Sequence, residues 1–442
     1  MNRSDNELPD ASRRRLLLAS AAGAAAIGLL DHAWATPVRQ PVVPPTDDQI
    51  HPFTIAIADS ELADLKFRLA RTRWPDKETV SDDSQGLQLH KIRPLVEYWA
   101  SGYSWRKVES RLNGLPQYVT RLDGLAIHFI HVRSRQRNAM PLIMTHGWPG
   151  SVLEFLKVIG PLTDPVAHGG RADDAFDVVI PSIPGYGFSQ RPHDTGWQPA
   201  RIARMWDTLM KRLGYTHYVA QGGDHGSVIS NAMGRQAPAG LLGIHLTMPA
   251  TVPDALVSAI NLGQPAPVAL QPDEQRAFDR LSHFFTRNAA YGAMMVTRPQ
   301  TIGYALHDSP TALAAWSYDK IAQWTDSGGE PERVLTRDEI LDDLSLYWLT
   351  QTSASAARFY WENNNNNFSA SAQQTTAVKV PVAISVFPGK STRRRNVGPS
   401  RRFRRSAITR PRRAADISPP GNSPPFSPLS YAAPSVRCVE RP

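Results

Sequence analysis

The pattern of apolar and polar positions changes twice along this 442-residue chain. Over residues 52–117, apolar residues recur at helical spacing, for example at Leu62, Leu65 and Leu69, which predicts a helical N-terminal lobe. Residues 118–132 alternate between apolar and polar around an Asp-Gly pair, which is the pattern of a β-hairpin. The first part of the chain is therefore expected to combine a helical lobe with two paired strands.

The central part of the chain consists of short apolar runs that end in glycine or proline. These runs are PLIMTHG, FDVVIPSIPG, HYVAQGGD and GIHLTMPA, and residues 202–213 and 228–235 between the later ones have helical patterns. Alternating strands and helices predict an α/β fold, in which a mainly parallel sheet is flanked by helices. Residues 253–358 contain helical segments without a comparable strand, which predicts an inserted helical cap. Residues 378–387 then return the chain to the sheet as a further strand.

These changes of pattern divide the chain into seven predicted segments. They are a signal peptide (1–35), a linker (36–51), an N-terminal region (52–135), the α/β core (136–250), the helical cap (251–358), a return to the core (359–388) and a basic tail (389–442).

The signal peptide is inferred from three features of the N-terminus. Three consecutive arginines precede an uncharged apolar run over residues 16–30, and an A-x-A site ends at Ala35. This arrangement resembles a twin-arginine export signal. We therefore expect export to the periplasm or the medium, or a membrane anchor if the signal is not cleaved. After cleavage we expect no integral membrane span, because no other stretch is long and apolar enough.

The positive charge of the chain lies almost entirely in its tail. The net charge is +9, but residues 389–442 carry thirteen basic residues against Asp416 and Glu440, so the preceding 388 residues have a net charge of −2. A nucleic-acid partner is therefore not expected for the body of the protein. The single cysteine, Cys438, excludes an internal disulfide.

A glycine-bracketed acid stands at the end of one predicted strand. In Gly222-Gly223-Asp224-His225-Gly226, small residues permit the strained strand-to-helix turn that exposes the nucleophile of an α/β-hydrolase. A carboxylate at this apex is suited to attack on saturated carbon, which forms an alkyl ester that water can later cleave. Asp224 is therefore the candidate nucleophile, and epoxides and haloalkanes are the candidate electrophiles.

The motif HGWPGS, residues 146–151, follows the predicted strand PLIMT. In an α/β-hydrolase this loop supplies one backbone N–H to an oxyanion hole, and the residue after the nucleophile supplies the other. The predicted donors are the amides of Trp148 and His225. The chain has neither an H-E-x-x-H zinc motif nor a complete G-x-G-x-x-G dinucleotide motif, so no metal and no cofactor are expected.

Longer stretches around these motifs resemble the microsomal-type epoxide hydrolases. The similar stretches are TRWPD (72–76), YW (98–99), DGLAIHFIHVRS (123–134), THGWPGS (145–151), PGYGFS (184–189), QGGDHGS (221–227) and GYALHDSP (303–310), within a resemblance that runs from about residue 50 to 388.

The resemblance implies a site as well as a fold. It implies an α/β-hydrolase in which residues 52–135 are the N-terminal epoxide hydrolase region and Asp224 attacks a small-molecule epoxide before water releases the product. Tyr291 and Tyr360 would be the cap tyrosines that hydrogen-bond the epoxide oxygen as it becomes an alkoxide. One departure is His225, because the family usually has tryptophan after the nucleophile.

The resemblance ends near residue 388. Hydrolysis of an alkyl ester needs a histidine oriented by an acid, and in this fold both follow the nucleophile in the chain. The family places one acid just after the strand that here ends in SVFPG, and the histidine beyond a further strand. This chain has Lys390 at the acid position, and its last histidine is His307. The side chains of neighbouring residues on an elbow project differently, so His225 is not expected to replace that histidine. Hydrolysis of the alkyl ester, the second step of the reaction, is therefore expected to be impaired.

The tail after this point is rich in arginine, proline and serine and has no useful strand-like run. Such a break in composition inside a strand-loop unit favours a shifted reading frame, so the final strand and helix of the fold are expected to be missing. Two alternative interpretations remain, a haloalkane dehalogenase with the same elbow and a non-catalytic protein that binds acidic partners through its tail. The sequence leaves the particular epoxide, the stereochemistry and the oligomeric state open.

Overall fold

The strands of the protein form one mixed sheet with a parallel centre. The computed structural model describes residues 45–248, 252–363 and 377–385. The strands within these residues are β1 (His51–Pro52), β2 (Gln117–Leu122), β3 (Leu125–Val132), β4 (Met140–Thr145), β5 (Phe176–Pro181), β6 (Tyr218–Gly222), β7 (Leu241–Leu246) and β8 (Val382–Ile384). Their order is β1-β2-β3-β5-β4-β6-β7-β8. The pairs from β5 to β8 are parallel, and the pairs from β1 to β5 are antiparallel.

Thirteen α-helices accompany the sheet in the described part of the chain. They are α1 (Asp59–Ala70), α2 (Leu89–Ser101), α3 (Trp105–Asn113), α4 (Leu156–Thr163), α5 (Pro199–Arg212), α6 (His225–Gln236), α7 (Asp254–Leu262), α8 (Pro272–His283), α9 (Ala290–Thr297), α10 (Pro299–Asp308), α11 (Pro310–Trp324), α12 (Arg337–Thr350) and α13 (Ser353–Glu362). The predicted helical lobe corresponds to α1–α3, in which Leu65 and Leu69 are buried as their spacing requires. The predicted cap, residues 251–358, contains α7–α12 and the first part of α13. The α/β prediction is therefore confirmed.

Several predictions fall outside the described residues. These are the signal peptide, most of the linker, the end of the return strand and the basic tail with its missing strand and helix. The described part of the return strand is β8, which pairs in parallel with β7 and has exposed side chains. Among the described residues, no helix combines the length and the apolar character needed to cross a membrane.

The predicted N-terminal hairpin extends the central sheet. β2 and β3 pair in antiparallel register, with Leu122 opposite Leu125. The turn residues Asp123 and Gly124 have φ angles of 50° and 88°, and a two-residue hairpin turn of type I′ requires positive φ at both positions. β3 also pairs with β5, so the N-terminal region and the predicted core share one sheet.

The sheet topology brings the two predicted site motifs together. β4 and β6 are parallel neighbours, and Thr145 lies opposite Gly222 at their carboxyl ends. The HGWPGS loop begins immediately after Thr145, and the elbow begins immediately after Gly222. In parallel α/β sheets, ligands bind at this edge of the sheet. The two loops therefore lie side by side although they are far apart in the chain.

The helix α12 connects the N-terminal helices to this edge of the sheet. The indole nitrogen of Trp99 donates to the hydroxyl of Ser345 at 2.9 Å, and the hydroxyl of Tyr103 donates to Asp342 at 2.8 Å. Asp342 and Ser345 are three residues apart and therefore lie on one face of the helix. Other residues of α12 contact the HGWPGS loop, so α12 lies between the N-terminal lobe and the site.

Candidate active site

Asp224 occupies a strained turn between β6 and α6. Its φ and ψ angles are 49° and −122°, and a positive φ is rare for a residue with a side chain. The neighbouring glycines make this turn possible, because a Cβ on Gly222 would overlap the backbone of Gly226 and a Cβ on Gly226 would overlap the carbonyl oxygen of Thr145. The elbow predicted from the glycine spacing is thus present, and its strain presents Asp224 at the sheet edge.

The oxyanion loop, defined here as residues 146–151, contacts the Asp224 carboxylate directly. The backbone amide of Trp148 donates to Asp224 Oδ1 at 2.9 Å. A Cβ on Gly147 would overlap the Asp224 side chain, so the loop needs glycine for this approach. The amide of His225 is the first N–H of α6 and has no intrahelical acceptor. Both predicted oxyanion donors therefore adjoin the candidate nucleophile.

Tyr291 on α9 and Tyr360 on α13 meet around the indole of Trp148. The ring of Tyr291 stacks on Trp148 with a centroid distance of 5.8 Å, and the ring of Tyr360 meets it edge-on at 6.0 Å. The two tyrosine rings are 6.1 Å apart. Since Trp148 also holds Asp224, the structure brings all the predicted site residues together in one cluster.

The position of Tyr360 is set by contacts between α13 and the loop after β5. The hydroxyl of Tyr186 donates to the carbonyl of Ala356 at 3.1 Å, and the hydroxyl of Ser355 donates to the carbonyl of Gly185 at 2.5 Å. These groups are buried, and buried hydrogen bonds of this kind hold a helix in one register. The PGYGFS motif therefore positions the end of the cap near the candidate nucleophile.

The side chain of His225 lies beside Asp224. Its Nε2 atom is 3.8 Å from Asp224 Oδ1, and its ring contacts Phe359 and Tyr360 with centroid distances of 4.6 Å and 4.5 Å. Burial lowers the pKa of His225. Although neighbours on an elbow project differently, packing against α13 places the imidazole of His225 beside the carboxylate.

Acidic and phenolic side chains that the sequence did not indicate lie beneath the oxyanion loop. Glu154 fills the space where a side chain at position 150 would stand, and a Cβ on Gly150 would overlap its carboxyl group. Asp343 accepts a hydrogen bond from the Ser151 hydroxyl at 2.5 Å, and the Tyr347 hydroxyl donates to the carbonyl of Gly150 at 2.7 Å. Burial raises the pKa of Asp343 to about 7 and the pKa of Glu154 well above its ordinary value. No motif predicts these contacts because Ser151 and Asp343 are 192 residues apart.

Other buried histidines have structural hydrogen bonds. His146 accepts from the amide of Ile183 at 3.2 Å, and burial lowers its pKa to about 4. His128 lies between Ser182 and Gln117 at 2.9 Å and 3.0 Å, and burial lowers its pKa to about 3. Both rings are therefore neutral at pH 7. In the residues that the structure covers, no group of three or more His, Cys, Asp or Glu side chains could hold a metal ion.

A cavity of about 740 Å³ lies elsewhere on the molecule. It is lined by α1, the TRWPD segment and the junction of α10 with α11, and it includes none of the predicted site residues. Its lining mixes three arginines with four acidic residues, so its charge favours no class of ligand. We therefore do not assign the chemistry to this cavity.

Two protein-family models together match almost all of the described residues. A model described as "Epoxide hydrolase N terminus" matches residues 50–155, and a model described as "alpha/beta hydrolase fold" matches residues 140–374. All the predicted site residues lie within these ranges. The predicted α/β-hydrolase fold is thus confirmed, and the match at the N-terminus accounts for the helices that precede the sheet.

Individual proteins similar to this chain include curated relatives and solved structures. A putative epoxide hydrolase of Stigmatella aurantiaca is 52% identical over 77% of this chain and 74% of that protein. Epoxide hydrolase 1 of Sus scrofa is 35% identical over 82% of this chain and 83% of that protein. The structure of the Aspergillus niger epoxide hydrolase matches with a TM-score of 0.65 and 31% identity, covering 79% of this chain and 87% of that one. The structure of the juvenile hormone epoxide hydrolase from the silkworm Bombyx mori matches with a TM-score of 0.68 and 29% identity, covering 76% of this chain and 82% of that one.

Proposed function

This chain belongs to the epoxide hydrolase family of cofactor-independent α/β-hydrolases, and we propose that it opens an epoxide through an alkyl ester on Asp224. The observation that carries the proposal is the hydrogen bond from the Trp148 amide to Asp224 Oδ1. Because that oxygen is held, Oδ2 is the atom directed at the substrate. Attack of Oδ2 on an epoxide carbon forms the ester bond and breaks the ring C–O bond.

Tyr291 and Tyr360 assist the departure of the epoxide oxygen. An alkoxide leaving group needs a proton, and a phenol hydrogen-bonded to it supplies that proton in the transition state. The two rings flank Trp148, whose backbone amide holds Asp224, and this arrangement supports a role for both phenols at the same site. A halide would need no proton, so this pair of phenols favours an epoxide over a haloalkane.

The second step would be attack of water on the carboxyl carbon of the Asp224 ester. The oxyanion then develops on Oδ1, the oxygen that already accepts from the Trp148 amide. A donor aimed at the atom where charge develops lowers the barrier because it needs no reorganisation. The amide of His225 would be the second donor. Release of the alcohol gives a vicinal diol and restores the carboxylate.

We propose that this second step is impaired in the chain as written. The support is the sequence beyond the described residues, where Lys390 replaces the expected acid and no histidine follows His307. The composition of residues 389–442 supports a shifted reading frame as the cause. The ester on Asp224 is then expected to accumulate, because its formation does not need the missing histidine.

Export is a separate part of the proposal and rests on the sequence alone. The arginine run, the apolar run over residues 16–30 and the A-x-A site that ends at Ala35 support cleavage before Thr36. Expression in a bacterium with an intact twin-arginine pathway tests this point. A periplasmic product that begins at Thr36 by mass spectrometry supports export, and retention of an uncleaved chain in the cytoplasm contradicts it.

The proposed function is tested by intact mass spectrometry of the purified chain after incubation with styrene oxide. We expect a mass increase of one styrene oxide on Asp224, and diol formation slower than ester formation. Asp224→Ala should show neither adduct nor diol. Absence of both from the folded wild-type chain would contradict the proposal, and release of chloride from a chloroalkane without any reaction of epoxides would favour the dehalogenase.

A further inference from the structure

The imidazole of His225 is the basic group that the structure places beside the Asp224 carboxylate. We propose that His225 Nε2 acts as the general base for the residual hydrolysis of the Asp224 ester. This inference rests on the proposed function, because it needs the ester to form. It gives the chain a route to turnover that does not depend on the residues expected beyond position 388.

The Nε2 and Oδ1 atoms are close enough to contact the same water molecule, which would lie beside the line that joins them. Nε2 lies 3.8 Å from Asp224 Oδ1, which is too long for a direct hydrogen bond of about 2.9 Å. The atom is buried and has no hydrogen-bond partner among the described residues. In the tautomer with its proton on Nδ1, the Nε2 lone pair is therefore available to a water that faces the Asp224 carboxyl group.

The orientation of the imidazole is maintained by its aromatic neighbours. Phe359 and Tyr360 of α13 contact its ring edge-on, and the ring of Tyr186 lies at 6.3 Å. Because the hydrogen bonds of Tyr186 and Ser355 hold α13 against the core, these walls are part of a rigid assembly. A base held this way loses little freedom when the water is activated.

The proposed step balances in atoms and protons. Nε2 takes a proton from water as the water oxygen bonds to the carboxyl carbon of the Asp224 ester, and the negative charge develops on Oδ1. Collapse breaks the bond to the alkyl oxygen, which takes the proton back from the imidazolium and leaves as the diol. The remaining Asp224 carboxylic acid returns its proton, through solvent, to the tyrosine that protonated the epoxide oxygen.

The pH dependence of this step follows from the surroundings of His225. The titratable groups that face it are Asp224, His146, Tyr186 and Tyr360. Burial lowers the pKa of His225, and the Asp224 carboxylate opposes this effect only in part. Esterification removes that carboxylate charge, which lowers the pKa of the imidazole further. Ester decay should slow as the pH falls through the lowered His225 pKa, because only the neutral imidazole can accept a proton from water.

The test is the decay rate of the Asp224 ester, measured after a single addition of styrene oxide and acid quenching at timed intervals. His225→Phe keeps a ring of similar size, and His225→Gln keeps a polar group, but neither side chain can accept a proton at neutral pH. In both variants we expect ester decay to slow by at least about 100-fold, the usual contribution of a general base, while the ester still forms. His217→Gln, at an exposed histidine, is the matched control and should decay at the wild-type rate.

Oxygen-18 water distinguishes the proposed route from direct hydration of the epoxide. Attack on the ester places the label in Asp224 during the first turnover, whereas direct attack on the epoxide places it in the diol. Label in the first-turnover diol, an adduct on His225, or equal ester decay in wild type and both variants would overturn the proposal. If no ester and no diol form in any variant, the proposed function fails as well. If the wild-type ester forms but never decays, only the role of His225 fails.

Discussion

The backbone amide of Trp148 and the carboxylate of Asp224 are joined by a hydrogen bond of 2.9 Å, although the residues are 76 positions apart. In the proposed mechanism this bond separates the tasks of the two carboxylate oxygens. Oδ1 becomes the oxyanion during ester hydrolysis, and Oδ2 is left for attack on the epoxide. The distance depends on Gly147, because any side chain there would collide with Asp224.

Gly147→Ala should therefore slow the formation of the Asp224 ester. The added methyl group pushes the loop from the carboxylate, and a displacement of about 1 Å in a catalytic group typically costs about 100-fold in rate. The measurement is the rate of adduct formation with styrene oxide by intact mass. Gly292→Ala is the matched control, since a Cβ at that position meets nothing within 4 Å. An unchanged rate in folded Gly147→Ala would show that the close approach is unimportant.

The two cap tyrosines should make partly redundant contributions to ester formation. Tyr291→Phe and Tyr360→Phe should each slow it by about 10- to 100-fold, and the double variant by about 1,000-fold or more, because the alkoxide then leaves without a proton donor. Tyr304→Phe, at a tyrosine of α10 that is 69% exposed, should react at the wild-type rate. Wild-type rates in the double variant would mean that another group protonates the epoxide oxygen.

The half-buried Asp343 should make the protein less stable as the pH rises from about 4 to 7. Burial raises its pKa to about 7, so the folded state binds more protons than the unfolded state in this window and stability falls with increasing pH. Asp343→Asn keeps an oxygen that can accept from Ser151 but carries no charge. We expect it to raise the free energy of unfolding at pH 8 by the order of 2–4 kcal/mol, and to change it little at pH 4.

Thermal unfolding of wild type and Asp343→Asn across this pH range checks the prediction. Asp338→Asn is the control, because Asp338 is partly exposed and accepts a hydrogen bond from the Tyr98 hydroxyl. Removal of its charge should bring no comparable increase in the free energy of unfolding. Parallel pH profiles for wild type and Asp343→Asn would show that Asp343 is not protonated in the folded protein.

The contact between Trp99 and Ser345 should contribute to the docking of the N-terminal helices. Ser345→Ala leaves the buried indole N–H of Trp99 without its acceptor, and an unsatisfied buried donor costs about 1–3 kcal/mol. Urea unfolding measures this loss, and Ser101→Ala on the exposed end of α2 is the control. If both variants unfold at the same urea concentration, water has replaced the lost acceptor.

The sequence predicted the features that depend on local spacing. The hairpin at Asp123-Gly124 follows from residues that favour positive φ, and the elbow at Asp224 follows from glycines whose neighbours leave no room for a Cβ. Likewise α1 and α2 follow from apolar residues at helical intervals. In each case the determining residues are neighbours in the chain, so their pattern is sufficient.

Contacts between distant segments could not be predicted in this way. Nothing in the local sequence distinguishes Glu154, Asp343 and Tyr347 from other acidic and aromatic residues. Only folding places them beneath the oxyanion loop. The direction of the His225 side chain is the clearest example. Its rotamer is set by Phe359 and Tyr360, which lie more than 130 residues further along the chain.

By itself, the sequence determined the types and order of the elements, the candidate nucleophile and the family, because these depend on short motifs and on the spacing of neighbours. The tertiary structure decided which groups surround that candidate nucleophile. It placed Trp148 against Oδ1, arranged Tyr291 and Tyr360 around the indole, and brought His225 Nε2 to 3.8 Å from the carboxylate. Those distances depend on how β4, β6 and α13 pack together, and packing between distant segments leaves no local pattern in a sequence.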